Sequence, residues 1–429
     1  MCLAIPGKIK SIELQHNGMV KMAKVSFGGI TKEASLEMLP EAIIGDYVLV
    51  HVGVAISKVN EEEAKKIFMS EYRDPELAKK YLEEIKRTVS RPWSIMEVCG
   101  GQTHSLVKNG IIEMLPKEIS MVHGPGCPVC VTPLYLIDKA VHLALDKNVI
   151  LCSFGDMLRV PGSQKSLLEA KAEGGDVRIL YSPLEAVKIA EDNPDKEVVF
   201  FAVGFETTAP ANALSVIHAY KRGLKNYSIL ASHVLVPPVI ENVLEDVDSH
   251  IDGFLAAGHV CTIMGNFEYY PLVEKYKVPI VVTGFEPLDV LQGILMVVRQ
   301  LEQNKSEVEN QYSRIVKEEG NLNAQEIIFE IFEVTDRLWR GMEVIPMSGY
   351  SVKEKYKDFD ADKKFNITIK EAEENQDCIA GEIMKGIKKP FECPEFGKKC
   401  KPSNPLGAPM VSSEGACAAY YHFSGLVER

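Results

Sequence analysis

The chain has 429 residues, 46% apolar and 25% charged, with a formal net charge of −12 at pH 7. That is a globular composition, long enough for roughly two to four domains with a buried core in each. The acidic balance, and the lack of any Lys/Arg stripe able to neutralise phosphates, exclude a nucleic-acid scaffold and leave proteins as the expected partners. No run approaches the ~20 apolar residues of a membrane helix. The opening MCLAIPGKIK lacks a charged segment ahead of a long apolar one, so it is not read as a signal peptide. The expected location is the cytoplasm. In that reducing compartment ten cysteines point to metal ligands or redox thiols rather than a disulfide framework.

Residues 1 to about 60 read as β-rich. Short β-branched runs such as MVKMAKVSF and GDYVLVHVGVAISKV are broken by turn chemistry at His16-Asn17-Gly18, Gly28-Gly29 and Gly45-Asp46, which predicts a small antiparallel barrel. The segment NEEEAKKIF predicts a helix capped by Asn60, with three Glu in its first turn. Met69-Ser70, in a polar joint, has the look of a former chain start. From residue 90 to about 310 apolar strands alternate with helices: SIMEV, ISMVH, NVILCSF, DVRILY, EVVFFAVGF, SILASHVLV, DGFLAAGH and PIVVTGF. This is the pattern of parallel α/β sheets. VGFETTAP and TGFEPLDV repeat Gly-Phe-Glu after a strand and suggest two similar lobes. Beyond residue 310 come a long amphipathic stretch, EIIFEIFEVTDRLWRGMEVI, and a loop-rich tail with four cysteines.

Ligands of parallel α/β sheets bind at the carboxyl ends of the strands. Those ends carry Cys99 and His104, then His123, Cys127 and Cys130, then Asp156 and Arg159, and finally Glu206, His233, His259 and Glu286, which suggests a shared crevice. In CGGQTH, Cys99 lies on a Gly-Gly turn next to an imidazole, and a thiol at a helix start favours the metal-ligating thiolate. CPVC, Cys127 to Cys130, has three readings. A zinc half-site needs a second such pair, and the chain has none; a thioredoxin-like switch needs an accessible first cysteine at a helix start; the third is inert packing. Asp156 and Arg159 can orient a ligand and hold an anion, or form a structural ion pair, and from sequence alone the ion pair is the simpler reading.

The tail cysteines Cys378, Cys393, Cys400 and Cys417 are separated by 14, 6 and 16 residues. Their number suits a [4Fe–4S] cluster or an all-cysteine zinc site; the lack of tight zinc knuckles, and the Cys-Pro at 393–394, favour iron–sulfur. At the other end, Cys2 follows the initiator Met, so removal of Met1 would place a thiol and an α-amine on one residue. His51 lies in a strand-like run, where a histidine is more often packed than ligating.

Taken together, these residues resemble two protein families. MCLAIPGKI with the later HVGVAI resembles HypC, a small chaperone of [NiFe]-hydrogenase maturation. From about Tyr72 onward, CGGQTH, HGPGCPVC, FGDMLRVPGS, VGFETTAP, His233 and the four-cysteine tail resemble HypD, so the chain looks like a HypC–HypD fusion. Gln102 stands where some family members have His. The resemblance implies a small OB-like β-barrel with a C-terminal helix over residues 1–68, two parallel-sheet α/β lobes over 72–205 and 206–335, and an iron–sulfur domain over 336–429.

It further implies a scaffold on which the Fe(CN)2CO unit is assembled, with cyanide from HypE (working with HypF) and delivery to the hydrogenase large subunit. Cys2 and Cys99 would be iron ligands with His51 nearby, Cys127 and Cys130 a redox pair, and Cys378, Cys393, Cys400 and Cys417 the ligands of a [4Fe–4S] cluster. Asp156 and His104 would complete the reactive set. Releasing cyanide from a thiocyanate takes two electrons, which a dithiol holds together and a cluster moves singly. Two rivals remain. One is an iron–sulfur disulfide reductase, which leaves Cys2 and the barrel unexplained. The other is a structural adaptor with a zinc-stabilised tail.

Overall fold

A computed structural model of the chain describes residues 5–15, 20–369 and 374–425. Cys2 and the His16-Asn17-Gly18 turn lie outside the described residues. The first five strands are β1 (Pro6–Gln15), β2 (Val20–Phe27), β3 (Ile30–Ser35), β4 (Tyr47–His51) and β5 (Val54–Val59), and they close a barrel in the order β1-β2-β3-β5-β4. Their inward residues, among them Ile9, Val25, Ala34 and Val48, form its core. Val52 and Gly53 both have positive φ, as a two-residue hairpin turn requires, and they leave His51 at the end of β4 paired with Val54. Helix α1 (Glu61–Phe68) follows, and Asn60 Oδ1 accepts the Glu63 N–H at 2.8 Å, the expected cap.

The chain divides into two compact units. The first holds the barrel and a five-stranded sheet, and takes in residues 1–126 and 243–325. Its strands β6 (Trp93–Glu97), β7 (Ile119–His123), β12 (Gly253–Ala257), β13 (Ile280–Thr283) and β14 (Val308–Asn310) are all parallel, in the order β14-β13-β12-β6-β7. The second unit takes in residues 127–242 and 326–429. Its strands are β8 (Val149–Ser153), β9 (Asp176–Ile179), β10 (Glu197–Gly204), β11 (Tyr227–Val234), β15 (Phe332–Leu338) and β16 (Val344–Val352), in the order β15-β16-β11-β10-β8-β9. β8 to β11 are parallel; β15 and β16 add an antiparallel edge.

The helices that matter for the sites are α2 (Pro75–Thr88), α3 (Gly100–Lys108), α4 (Pro128–Val131), α5 (Leu134–Ala144), α6 (Ala209–Lys221), α7 (Gly258–Met264), α8 (Pro287–Glu302), α9 (Ala380–Met384) and α10 (Ala416–Phe423). In the first unit Ile85 of α2 and Leu291 and Ile294 of α8 share one core with Ile95, Leu255 and Val281 of the sheet. In the second, Ile137 and Ala140 of α5 pack with Leu151, Phe201 and Leu230. All eight strand runs read from the sequence form strands, and both Gly-Phe-Glu segments follow parallel strands, β10 and β13, ahead of α6 and α8.

Two features differ from the linear reading. The sheets interleave along the chain, so residues 205 and 206 fall inside the second unit, between β10 and α6. The amphipathic stretch after residue 310 is not one element: helix Leu322–Ile331 gives way directly to β15. The β-branched Val334 and Thr335 lie at the change, and pairing with Tyr350 and Gly349 of β16 satisfies the backbone there.

Candidate metal and redox sites

Cys99 caps the N-terminal end of α3 from the end of β6, where aligned helix dipoles favour a negative ligand. Its side chain is buried, and Sγ lies 3.8 Å from Nδ1 and 4.0 Å from Nε2 of His259, the second residue of α7. His259 packs on Phe285 at 4.9 Å between ring centroids. Loss of solvent around the ring brings its pKa down to about 4, so near neutral pH it is the uncharged imidazole that can ligate a metal. Thiol and imidazole are thus brought together from two strand ends.

Beneath them lies Glu97, fully buried at the end of β6. Its Oε2 accepts the Cys99 N–H at 2.9 Å, its Oε1 accepts the Thr103 hydroxyl, and Oε1 lies 2.8 Å from His123 Nδ1. Burial pushes its pKa above the usual carboxylate range, while His123, Thr103 and the Cys99 N–H pull the other way. Glu97 therefore fixes the Cys99 backbone, the first turn of α3 and the end of β7 together. Sequence reasoning missed it; the available signal was a charged residue closing an otherwise apolar strand.

The glycines of HGPG lie directly against this backbone. Gly126 O accepts the Gly100 N–H at 2.9 Å, and a Cβ on Gly126 would run into Val98 and Cys99 main-chain atoms. Gln102 is buried and donates to Ala256 O at 3.0 Å and Thr283 Oγ1 at 2.6 Å, tying α3 to β12 and β13. It braces the Cys99 turn from behind. His104 is half-buried further along α3, and His51 is half-buried at the rim of the barrel.

In the second unit Cys127 and Cys130 are joined as a disulfide with Cα atoms 5.2 Å apart. Cys127 caps α4, and Cys130 N–H points at its sulfur at 3.3 Å. The helix start that a dithiol switch needs is present, but both cysteines are buried. Thr132 links this turn to β11: its hydroxyl donates to Pro128 O at 2.8 Å and accepts from Ser232 at 3.4 Å. Asp156 pairs with Arg159 at 3.2 Å. It also accepts from Ser412 Oγ at 2.9 Å, while Arg159 donates to Val411 O at 3.0 Å. The pair clamps the segment that leads to Cys417. His233, fully buried, lies 2.6 Å from Asn212 Nδ2 and against Phe332; burial brings its pKa down to about 3. Glu206, also buried, accepts the Val236 N–H at 2.8 Å.

The four tail cysteines line one cavity, together with Ile379 of the α9 approach and Met410. Cys417 lies in the first turn of α10. Burial and mutual repulsion push the thiols of Cys378, Cys400 and Cys417 up. Backbone N–H groups face the sulfurs: Leu406 donates to Cys400 at 3.4 Å, and Gly407 approaches Cys378 so closely that a Cβ would strike its sulfur. Among the described residues no three His, Cys, Asp or Glu side chains are arranged to hold a single metal ion. Four thiols around one apolar-walled cavity with amide donors at the sulfurs are the donor set of an iron–sulfur cluster, and these are the residues that can hold a [4Fe–4S] cluster.

A closed barrel, two α/β sheets, a thiol–imidazole pair, a buried disulfide and a four-thiol cavity bring together side chains chemically able to ligate metal and to cycle between thiol and disulfide. The comparisons with known proteins are specific. The HypD family, described as "Hydrogenase formation hypA family", matches residues 76–424, and the HupF/HypC family matches residues 1–69. The chain belongs to the HypD family and carries a HupF/HypC-family domain ahead of it: it is a HypC–HypD fusion. The HypD2 hydrogenase maturation factor of Bradyrhizobium diazoefficiens is 47% identical over 366 residues, covering 83% of this chain and 96% of that protein. The HypD maturation factors of Azotobacter vinelandii and Escherichia coli are each 45% identical, over 83% of this chain and 96% and 98% of their own lengths. No helix among the described residues is long and apolar enough to cross a membrane.

Proposed function

We propose that this chain is a hydrogenase maturation factor of the cytoplasm, on which iron receives its cyanide and CO ligands before delivery to the [NiFe]-hydrogenase large subunit. The observation that carries the reading is the buried Cys99 thiol facing the neutral imidazole of His259, over a carboxylate that fixes its backbone. A soft thiolate suits low-spin iron, here the cargo. Cys2 would supply the second thiolate to the same iron, with His51 near that iron, and His104 offers a further imidazole on α3.

Cyanide comes from HypE, working with HypF, as a thiocyanate. Its release balances when the Cys127–Cys130 dithiol reduces the S–CN bond: thiocyanate plus two thiols gives a free thiol, cyanide, the disulfide and one proton. The Cys127–Cys130 disulfide supports this reading, since the step would leave the pair in that form. A [4Fe–4S] cluster held by Cys378, Cys393, Cys400 and Cys417 would supply single electrons for return to the dithiol. Asp156, through Ser412, positions the segment leading to Cys417. The test is complementation of a host that lacks its own HypC and HypD. The chain should restore hydrogenase activity, and Cys99→Ala or Cys127→Ser should abolish it. Full activity from both variants would overturn the reading.

A further inference from the structure

In the second unit the loop joining β15 to β16 carries Trp339, Arg340 and Gly341. Trp339 is fully buried and donates from Nε1 to Ser348 Oγ at 2.9 Å, which anchors the loop to its own hairpin. Arg340 is only 7% exposed, uncommon for a guanidinium. Its backbone N–H donates to Val131 O at 2.9 Å, the last residue of α4 and the neighbour of Cys130. Its Nη1 donates to Pro161 O at 3.3 Å. Its Nε and Nη2 reach Glu374 Oε2 at 3.0 and 2.9 Å, four residues ahead of Cys378. Next to it, Gly341 has φ +72°, and a Cβ there would lie 3.0 Å from Cα of Gly381, in the wall helix α9 of the four-thiol cavity. One loop therefore bonds to the disulfide turn on one side and meets the cavity wall on the other.

We infer that Arg340 is a positioning residue that fixes the Cys127–Cys130 turn against the four-thiol cavity and supplies the positive charge between them. The inference rests on the proposed function, in which the cavity holds a cluster. Among the described residues the carboxylate that pairs with the buried cation is Glu374, whose side chain is 41% exposed, so water weakens that compensation more than it weakens the cation's effect on its buried neighbours. A cation so placed favours the more negative, reduced form of a cluster at the cavity. Removing the cation should lower the reduction potential, and removing its counter-charge should raise it. A loss of packing alone would move both variants the same way.

The experiment is an EPR-monitored potentiometric titration of the full chain, purified anaerobically, as wild type, Arg340→Gln, Arg340→Lys and Glu374→Gln. At the wild-type midpoint, Arg340→Gln should cut the reduced-to-oxidised ratio by roughly three- to tenfold, the range one partly neutralised charge gives at an effective dielectric of ~20. Glu374→Gln should raise the ratio, and Arg340→Lys should restore it to near the wild-type value. Alkylation of Cys127 and Cys130 at the same poise should show less dithiol in Arg340→Gln. A cluster in wild type whose potential is unmoved by Arg340→Gln, or moved alike by Arg340→Gln and Glu374→Gln, overturns the inference and leaves the proposed function standing. A wild-type chain with no cluster signal overturns the reading on which it rests, and the inference with it. If Arg340→Gln does not fold, the sign of the Glu374→Gln shift decides alone.

Discussion

Glu97→Ala is the perturbation that most directly probes the Cys99 site. The carboxylate accepts the Cys99 N–H and the Thr103 hydroxyl and contacts His123, and it is fully buried. Alanine leaves three polar groups short of a partner in a place where each unmet group costs about 1–3 kcal/mol. Partial relaxation and water entry offset some of that, so the expected loss of stability is about 3–5 kcal/mol. Glu97→Gln keeps the shape but turns an amide N–H₂ toward one of the donors, and should cost about 1–2 kcal/mol. Thr103→Val removes one bond and should cost about 1 kcal/mol. Urea unfolding under anaerobic conditions reads all three. Alkylation of Cys99 gives a second readout, and should accelerate in Glu97→Ala because the sulfur's own backbone has lost its anchor. A Glu97→Ala chain within about 1 kcal/mol of wild type, with unchanged alkylation, would refute the role assigned to this carboxylate.

Three further outcomes are expected. Gly126→Ala forces a Cβ into main-chain atoms of Val98 and Cys99 and strains the Gly100–Gly126 bond; it should cost about 2–4 kcal/mol, whereas Gly155→Ala, whose Cβ would meet only Ile179 at 3.5 Å, should be near neutral by the same thermal unfolding assay. His233, with its pKa lowered from 6.5 to about 3 by burial, holds its stabilising contribution above pH 6.5 and loses it as pH falls toward 3. Between pH 6.5 and 5 the wild type should lose about 2 kcal/mol more than His233→Gln, measured by urea unfolding across that range. Cys417→Ser should strip the bound iron, which in the anaerobic wild type should approach about four atoms per chain by elemental analysis.

The parts that could be read from sequence are those whose signal is local. β6 to β13 appear as apolar runs with turn residues at their ends, and Asn60 with its three acidic followers announces α1. The interleaving of the sheets could not be read this way. β6 lies beside β12, about 160 residues away along the chain, and parallel pairing across such a distance leaves no trace in either run. β15 was concealed by the helix that runs directly into it, so that one amphipathic pattern covers two elements. At the site, Cys99, His123 and His259 were all visible as strand-end residues, but the Cys99–His259 contact depends on that same pairing of β6 with β12. Glu97 was hidden because a carboxylate closing a strand reads as a solvent-facing residue. Arg340 was hidden because a lone arginine in a hairpin loop is ordinarily exposed.

The central claim is that Cys99 holds the iron on which the ligands are assembled. The measurement that tests it most directly is an infrared spectrum of the anaerobically purified chain, produced together with HypE and HypF, in the window of metal-bound cyanide and CO stretches. The account predicts bands in the wild type that disappear in Cys99→Ala. Bands of undiminished intensity in Cys99→Ala, or none in the wild type, would contradict it.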